Sequence, residues 1–108
     1  MARHPNAGTG TLVSDATVRA AARGEYAAWE TIVGAFSGAV WAAASCVGSD
    51  SVPTRAACRI TWLRCLDHLE RLDADSLGAW LISTARREAW RQARLDGGRG
   101  RGARSATA

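Results

Sequence analysis

Residues 61–89 read TWLRCLDHLERLDADSLGAWLISTARREA, and their pattern predicts two helices separated by a short polar break. The part through Leu69 has the apolar spacing of an amphipathic helix. Residues 71–75 interrupt it, and a second helix restarts at Ser76, with Asp75 as its candidate cap, and runs to about Leu95. Its predicted core edge is Leu77, Leu81, Ala85 and Ala89. Its predicted polar edge is Trp80, Thr84, Arg87, Arg91 and Arg94.

The preceding residues also read as helical. Ser14 or Asp15 can cap a first helix that reaches about Arg23, where Gly24 ends it. A second helix is predicted from Glu25 to about Val47. Its apolar stripe is Tyr26, Trp29, Val33, Phe36, Val40 and Val47, with Ala44 filling the gap.

A linker at 48–53 separates that stripe from the third helix, which has Pro53 in its first turn and Ser51 near its cap. The third helix is predicted to run to about Leu69. Its predicted inward residues are Ile60, Leu63, Leu66 and either Cys65 or Leu69. The chain of 108 residues therefore reads as a small all-α bundle of three main helices plus a short N-terminal helix. We expect a flexible leader at 1–11, one helical domain at 12–95 and a disordered Gly/Arg tail at 96–108.

Positive charge is concentrated at the C-terminal end. Residues 1–85 contain seven Arg and eight acidic residues, whereas residues 86–108 contain seven Arg and two acidic residues. This asymmetry favours an anionic partner, although a basic tail that only aids solubility gives the same count. Phosphates need fixed positive charge and unstacked bases need flat apolar platforms, so a cationic helix with Trp residues suits melted DNA. For Trp80 and Trp90, packing against the second helix and stacking on bases both stay open.

The sequence predicts no enzyme, metal site or cofactor. It has no catalytic triad, no glycine-rich loop between a strand and a helix, and no carboxylate pair on one helix face. Cys46, Cys58 and Cys65 lack Cys-x-x-Cys spacing, and the latter two, seven residues apart, are expected to pack on one face as free thiols. No apolar run is long enough to span a bilayer, so we expect a cytoplasmic protein.

The order of residues resembles one family. Trp-Leu-Arg at 62–64, a loop, and then Ala-Trp-Leu-x-x-Thr-Ala-Arg-Arg-Glu at 79–88 are similar to region 2, the promoter-binding domain, of extracytoplasmic-function sigma factors. The resemblance runs from about Leu12 to Arg94, with an Ala-Trp at Trp29 and Val-Trp-Ala at 40–42. It implies a non-enzymatic domain whose partners are core RNA polymerase, through the clamp helices of the largest subunit, and the single-stranded non-template strand of promoter DNA.

The resemblance also implies roles for individual residues. The polymerase-binding helix would carry Arg55, Ala56, Arg59, Trp62 and Leu63. The loop that captures a flipped base of the minus-ten element would carry His68, Leu69, Arg71, Leu72 and Asp73. The DNA-facing helix would carry Ser83, Arg86, Arg87, Trp90, Arg91 and Arg94. Judged on geometry alone, His68 is instead a solvated residue at a helix end.

Two departures from the family keep other functions open. The usual Asp-x-x-Gln of the polymerase-binding helix is replaced here by Ala56-Ala57-Cys58-Arg59, and the family's second helical domain has no counterpart in these 108 residues. One alternative is a divergent or truncated module that acts as a decoy or binds an anti-sigma-like partner. Another is a non-specific single-strand binder that depends on the Arg-rich tail.

Overall fold

The computed structural model describes the backbone of residues 13–47 and 51–107 and the side chains of residues 13–46 and 52–95. The predicted leader at 1–11 and part of the predicted linker lie outside these residues. The part of the chain that the structure describes contains four α-helices: α1 (Asp15–Ala22), α2 (Tyr26–Ala44), α3 (Ser51–His68) and α4 (Ala74–Thr107). Short 3₁₀ turns at Ser45–Val47 and Leu69–Arg71 follow α2 and α3. The described residues contain no strand, and the predicted all-α bundle is confirmed.

The junction between α1 and α2 forms as its sequence predicts. The Ser14 hydroxyl accepts a hydrogen bond from the Thr17 amide at 3.1 Å and so caps α1. Gly24 has a φ of 95°, a left-handed conformation that glycine adopts without a Cβ clash. The amides of Gly24 and Glu25 then donate to the carbonyls of Ala21 and Ala20, which closes the end of the helix in a Schellman motif.

The junction between α3 and α4 is tighter than predicted. The 3₁₀ turn takes up residues through Arg71, so Leu72 and Asp73 alone separate it from α4. Asp73, and not the predicted Asp75, caps α4: its Oδ1 accepts from the Ser76 amide at 2.8 Å, and its own amide donates to the Ser76 hydroxyl at 3.2 Å. The hydrogen bonds from the Ser76 amide and hydroxyl lower the pKa of the Asp73 carboxyl, because they favour its charged form.

A second carboxylate reaches the same helix start from a distant part of the chain. Oδ1 of Asp15, in the first turn of α1, accepts a hydrogen bond from the Ala74 amide at 2.8 Å. The first amides of a helix have no partner within it, so each acceptor here satisfies an otherwise unpaired donor. Two acidic side chains also suit the positive end of the helix dipole. Asp15 thereby ties the start of α1 to the start of α4.

Helix α4 extends past its predicted end near Leu95: its backbone is helical through Thr107. The disorder predicted for residues 96–108 stays a prediction; it rests on glycines, each of which weakens a helix by about 1 kcal/mol relative to alanine. A helix that is already formed adds residues without a new nucleation step.

The inward face of α4 is the one predicted. Leu77, Leu81 and Ala85 are completely buried, and Ala89 nearly so. Thr84, predicted on the polar edge, is buried as well. Against this face α2 buries Ile32, Val40, Ala43 and Ala44, while Tyr26 at its first turn is 70% exposed and does not continue the stripe. Phe36 lies so close to Gly78 of α4 that a Cβ there would come within 3.1 Å of its ring.

The predicted register of α3 is wrong. The buried residues are Thr54, Ala57, Thr61 and Cys65, whereas Leu63 and Leu66 are exposed and Ile60 is half-buried. Small side chains on the inner face let α3 approach its neighbours closely, and the Thr61 hydroxyl donates to the Ala57 carbonyl at 2.7 Å. Burial raises the pKa of the Cys65 thiol to about 12, and it raises that of Cys58 as well, so neither is a reactive thiolate.

The corrected register makes a stability test of matched leucines possible. Leu81→Ala removes a fully buried side chain and is expected to lower the free energy of unfolding by about 2–5 kcal/mol. Leu63→Ala, at a position that is 55% exposed, is expected to change it by less than about 0.5 kcal/mol. Urea denaturation followed by circular dichroism measures both. Equal losses in the two variants would contradict the register of α3.

Candidate nucleic-acid interface

The outer face of α4 is cationic and carries an exposed tryptophan. Trp90 is 59% exposed and lies three or four residues from Arg86, Arg87 and Arg94, so helical geometry places all four side chains on the same side of α4. These arginines are exposed, as is Ser83 two turns before Trp90. The residues that the sequence predicts to face DNA therefore share one accessible surface, here called the α4 surface: Ser83, Arg86, Arg87, Trp90, Arg91 and Arg94.

The two tryptophans of α4 have different environments. Trp90 points to solvent and does not pack in the core, whereas Trp80 is half-buried and its ring centroid lies 5.3 Å from that of His68. The predicted solvated His68 is itself half-buried, with Nδ1 3.0 Å from the Arg64 carbonyl oxygen. Trp80 and His68 thus brace the turn between α3 and α4, and Trp90 is the aromatic ring on α4 that a ligand can reach.

The turn between α3 and α4 borders a depression of about 290 Å³. Leu69 is buried at its base and Leu72 is half-buried, while Arg71 and Asp73 are exposed. Arg19 and Arg23 of α1, with Glu70, complete the lining together with Ala22. Sequence reasoning missed these residues, because the approach of α1 to the turn is a tertiary contact, in which the Ala74 amide donates to Asp15. The sequence signal for this part of the lining was the spacing of Arg19 and Arg23, which lie four residues apart and therefore on one helix face.

An ion-pair cluster beside the α4 surface was also missed. Glu88 lies on α4 with a side chain only 3% exposed, and its Oε2 is 3.0 Å from Nε of Arg64 on α3. The same oxygen is 3.7 Å from Nη1 of Arg91, one turn farther along α4. Glu88 lies among polar residues in the sequence, and its burial follows from the phase of the helix: it is one turn after Thr84 and Ala85.

The outer face of α3 is apolar and basic. Leu63 is 55% exposed and Leu66 is 47% exposed. Val52 is exposed about three turns earlier on the same face, and the exposed Arg55 and Arg59 lie between Val52 and Leu63. Ala56 is half-buried, and Trp62 packs edge-on against Trp29 of α2 with ring centroids 5.6 Å apart. Of the residues predicted to bind polymerase, Trp62 thus lies at the edge of the core and Leu63 lies on the open surface.

Comparison of the chain with protein-family models, curated proteins and solved structures finds no match. Among the described residues, no helix is both long enough and apolar enough to cross a membrane.

The two exposed tryptophans outside the core offer a matched test of the α4 surface. Trp90→Ala is expected to weaken binding of single-stranded DNA roughly tenfold, because stacking of one base on an aromatic ring contributes about 1–3 kcal/mol. Trp41, 45% exposed on α2, is the control, and Trp41→Ala is expected to leave binding unchanged. Fluorescence anisotropy of a labelled oligonucleotide measures both. Equal effects would mean that the α4 surface is not the binding surface.

Proposed function

We propose that this chain is a sigma-factor-type promoter-binding domain, which binds the melted minus-ten element of a promoter and contacts core RNA polymerase in the cytoplasm. The observation that carries the proposal is the α4 surface. It combines an accessible aromatic ring with guanidiniums spaced one turn to either side, the two groups that unpaired bases and phosphates require.

The position of the depression supports separate roles for two parts of this site, one in base preference and one in general affinity for DNA. Arginines of the α4 surface offer charge without base discrimination, whereas a concave site with apolar and polar walls can accept one base and reject another. The depression has both kinds of wall: Leu69 and Leu72 are apolar, and Arg19, Arg23 and Glu70 supply donors and acceptors. Base preference is therefore assigned to the turn and general affinity to α4.

The outer face of α3 supports a protein partner. Exposed Leu63 and Leu66 form a short apolar stripe that the bundle itself does not cover, and Val52 is exposed about three turns earlier on the same face. Protein interfaces join an apolar centre to a polar rim, and here Arg55 and Arg59 lie on the N-terminal side of the Leu63–Leu66 stripe. The clamp helices of the polymerase are the partner implied by the family resemblance.

A second candidate function is a decoy or interaction module that has lost promoter activity. The observation that favours it is the exposed Arg59, a cation where the resembled family has Gln, together with Ala56 where it has Asp. The change alters the local charge by about two units at a surface where complementarity sets specificity and the rate of association. On this alternative the same apolar stripe binds a different protein, such as an anti-sigma-like partner.

Base preference tests the promoter function directly. Leu72→Ala and Arg71→Ala, in the turn, are expected to change which single-stranded minus-ten sequences bind best. Arg87→Ala is expected to weaken binding to every sequence and to lower the salt slope by about one unit. Anisotropy titrations with a small panel of oligonucleotides at several salt concentrations measure both. Identical behaviour of the two groups of variants, or no preference in the wild type, would contradict the proposal.

Polymerase binding separates the two candidate functions. On the sigma-type reading, the wild type binds isolated core polymerase, and Leu63→Asp abolishes binding because it places a charge in the apolar centre of the interface. On the decoy reading, the wild type binds weakly and the double change Ala56→Asp with Arg59→Gln strengthens binding by about 1–3 kcal/mol. Pull-down and biolayer interferometry with purified core enzyme distinguish the outcomes.

A further inference from the structure

Arg64, Glu88 and Arg91 form an ion-pair cluster between α3 and α4 in which two arginines share one buried carboxylate oxygen. Stabilisation of the fold does not explain this arrangement. Glu88 is buried, yet it contacts its partners through Oε2 alone, and within the described part of the chain Oε1 has no hydrogen-bond partner. A buried carboxylate oxygen without a donor destabilises the fold, because it has lost its hydrogen bonds to water. Arginine–carboxylate pairs are frequently bidentate, with both oxygens accepting from one planar fork, and neither arginine here makes such a pair.

The two arginines, in contrast to Glu88, have hydrogen-bonding groups left over on the solvent side. Arg64 uses Nε and Arg91 uses one terminal nitrogen, although each guanidinium carries five N–H donors. Their side chains are 45% and 57% exposed, so a ligand can reach both from the solvent. Two cations held against one carboxylate oxygen leave the cluster with a net positive charge directed outward.

Without Glu88, the two guanidiniums would repel each other and separate. The carboxylate between them is what allows like charges from two different helices to lie within 3.7 Å of a common atom. An anion with several oxygens, bound from the solvent side, would accept hydrogen bonds from both arginines at once. Phosphodiesters have this shape and charge, and Arg is the side chain best suited to bind them through two parallel donors.

We infer that Arg64 and Arg91 form a phosphate-binding site at the seam between α3 and α4, and that Glu88 is the residue that positions them. The ligand is a backbone phosphate of single-stranded DNA. The site adds Arg64, a residue of α3, to a surface otherwise built from α4. The inference rests on the proposed function only in naming DNA as the source of the phosphate.

The Glu88→Gln variant tests this inference, because the loss of its charge and the loss of its positioning role change the affinity for DNA in opposite directions. The substitution removes a negative charge near the ligand, so electrostatics alone predicts tighter binding. If Glu88 positions the arginines, binding of a short oligothymidylate of about ten nucleotides falls roughly tenfold, the contribution of one charge-assisted hydrogen bond. Glu30→Gln is the matched control: it makes the same change in charge at an exposed position on α2 and is expected to leave affinity equal or slightly higher.

Arg64→Lys provides a second test, in which the buried Glu88 itself stays unchanged and keeps a cationic neighbour. It keeps the charge and removes the planar fork, so it is expected to weaken oligothymidylate binding almost as much as Arg64→Ala. A double-mutant cycle with Arg64→Ala and Arg91→Ala is expected to show coupling of roughly fivefold or more in the wild type and none in the Glu88→Gln background. Circular dichroism and thermal melts establish that each variant is folded.

The outcomes separate this site from the proposed function. Coupled arginines with weaker binding by Glu88→Gln support the site, even if the protein shows no preference among sequences and the promoter function fails. Tighter binding by Glu88→Gln, full activity of Arg64→Lys or additive arginine losses overturn the site, even if a clear minus-ten preference upholds the function. If Glu88→Gln does not fold, the Arg64→Lys titration and the cycle in the wild type decide alone.

Discussion

The rotational phase of α4 constrains the rest of the molecule. One helix contributes the central core line from Leu77 to Ala89 and, on its opposite side, every arginine and the tryptophan of the α4 surface. An α-helix advances about 100° per residue, so residues three and four positions from a core residue share its face, whereas residues one and five positions on are turned away from it. Burial of Leu81 and Ala85 thereby places Arg86 and Trp90 in solvent. The core and the candidate binding surface are two consequences of a single orientation.

The start of α4 depends on acidic residues from two parts of the chain. Asp73 supplies a local cap, and Asp15 supplies an acceptor from the first turn of α1. Because the second bond joins residues that are far apart in sequence, it contributes, together with the buried Val18 and Ala21, to holding α1 beside the turn, where Arg19 and Arg23 line the depression. A capping interaction at one helix end therefore lies next to a surface site that it helps to position.

The sequence predicted best those features that depend on local chemistry. The cap at Ser14, the helix end at Gly24 and the core line of α4 all follow from signals within a few residues, and the structure contains each of them. The register of α3 depends on tertiary packing and was predicted wrongly. That helix has apolar residues on both faces, so periodicity does not select one, and burial falls on the small residues Ala57 and Thr61 because α3 packs closely.

The residues of the candidate site also fall into two groups, those predictable from local sequence and those that depend on tertiary packing. The exposure of Arg86, Arg87 and Trp90 could be predicted from the phase of one helix, since it requires no knowledge of neighbours. Arg64 and Glu88 could not, because their pairing joins α3 to α4 and reverses the usual expectation that a glutamate lies on the surface. In the same way, the contribution of α1 to the depression follows from a contact between residues far apart in sequence.

The size distribution on α3 connects its packing to its proposed partner. Its inner face carries Thr, Ala and Cys, whereas its outer face carries Val52, Leu63 and Leu66, so the larger apolar side chains are the ones left in water. Turning the helix to bury the leucines would push α3 away from α4 and break the pairing of Arg64 with Glu88. The bundle thus gains close helix packing and leaves apolar area uncovered. An exposed apolar stripe of this kind contributes nothing to the isolated fold, and burial against a second protein is the setting in which the leucines become stabilising.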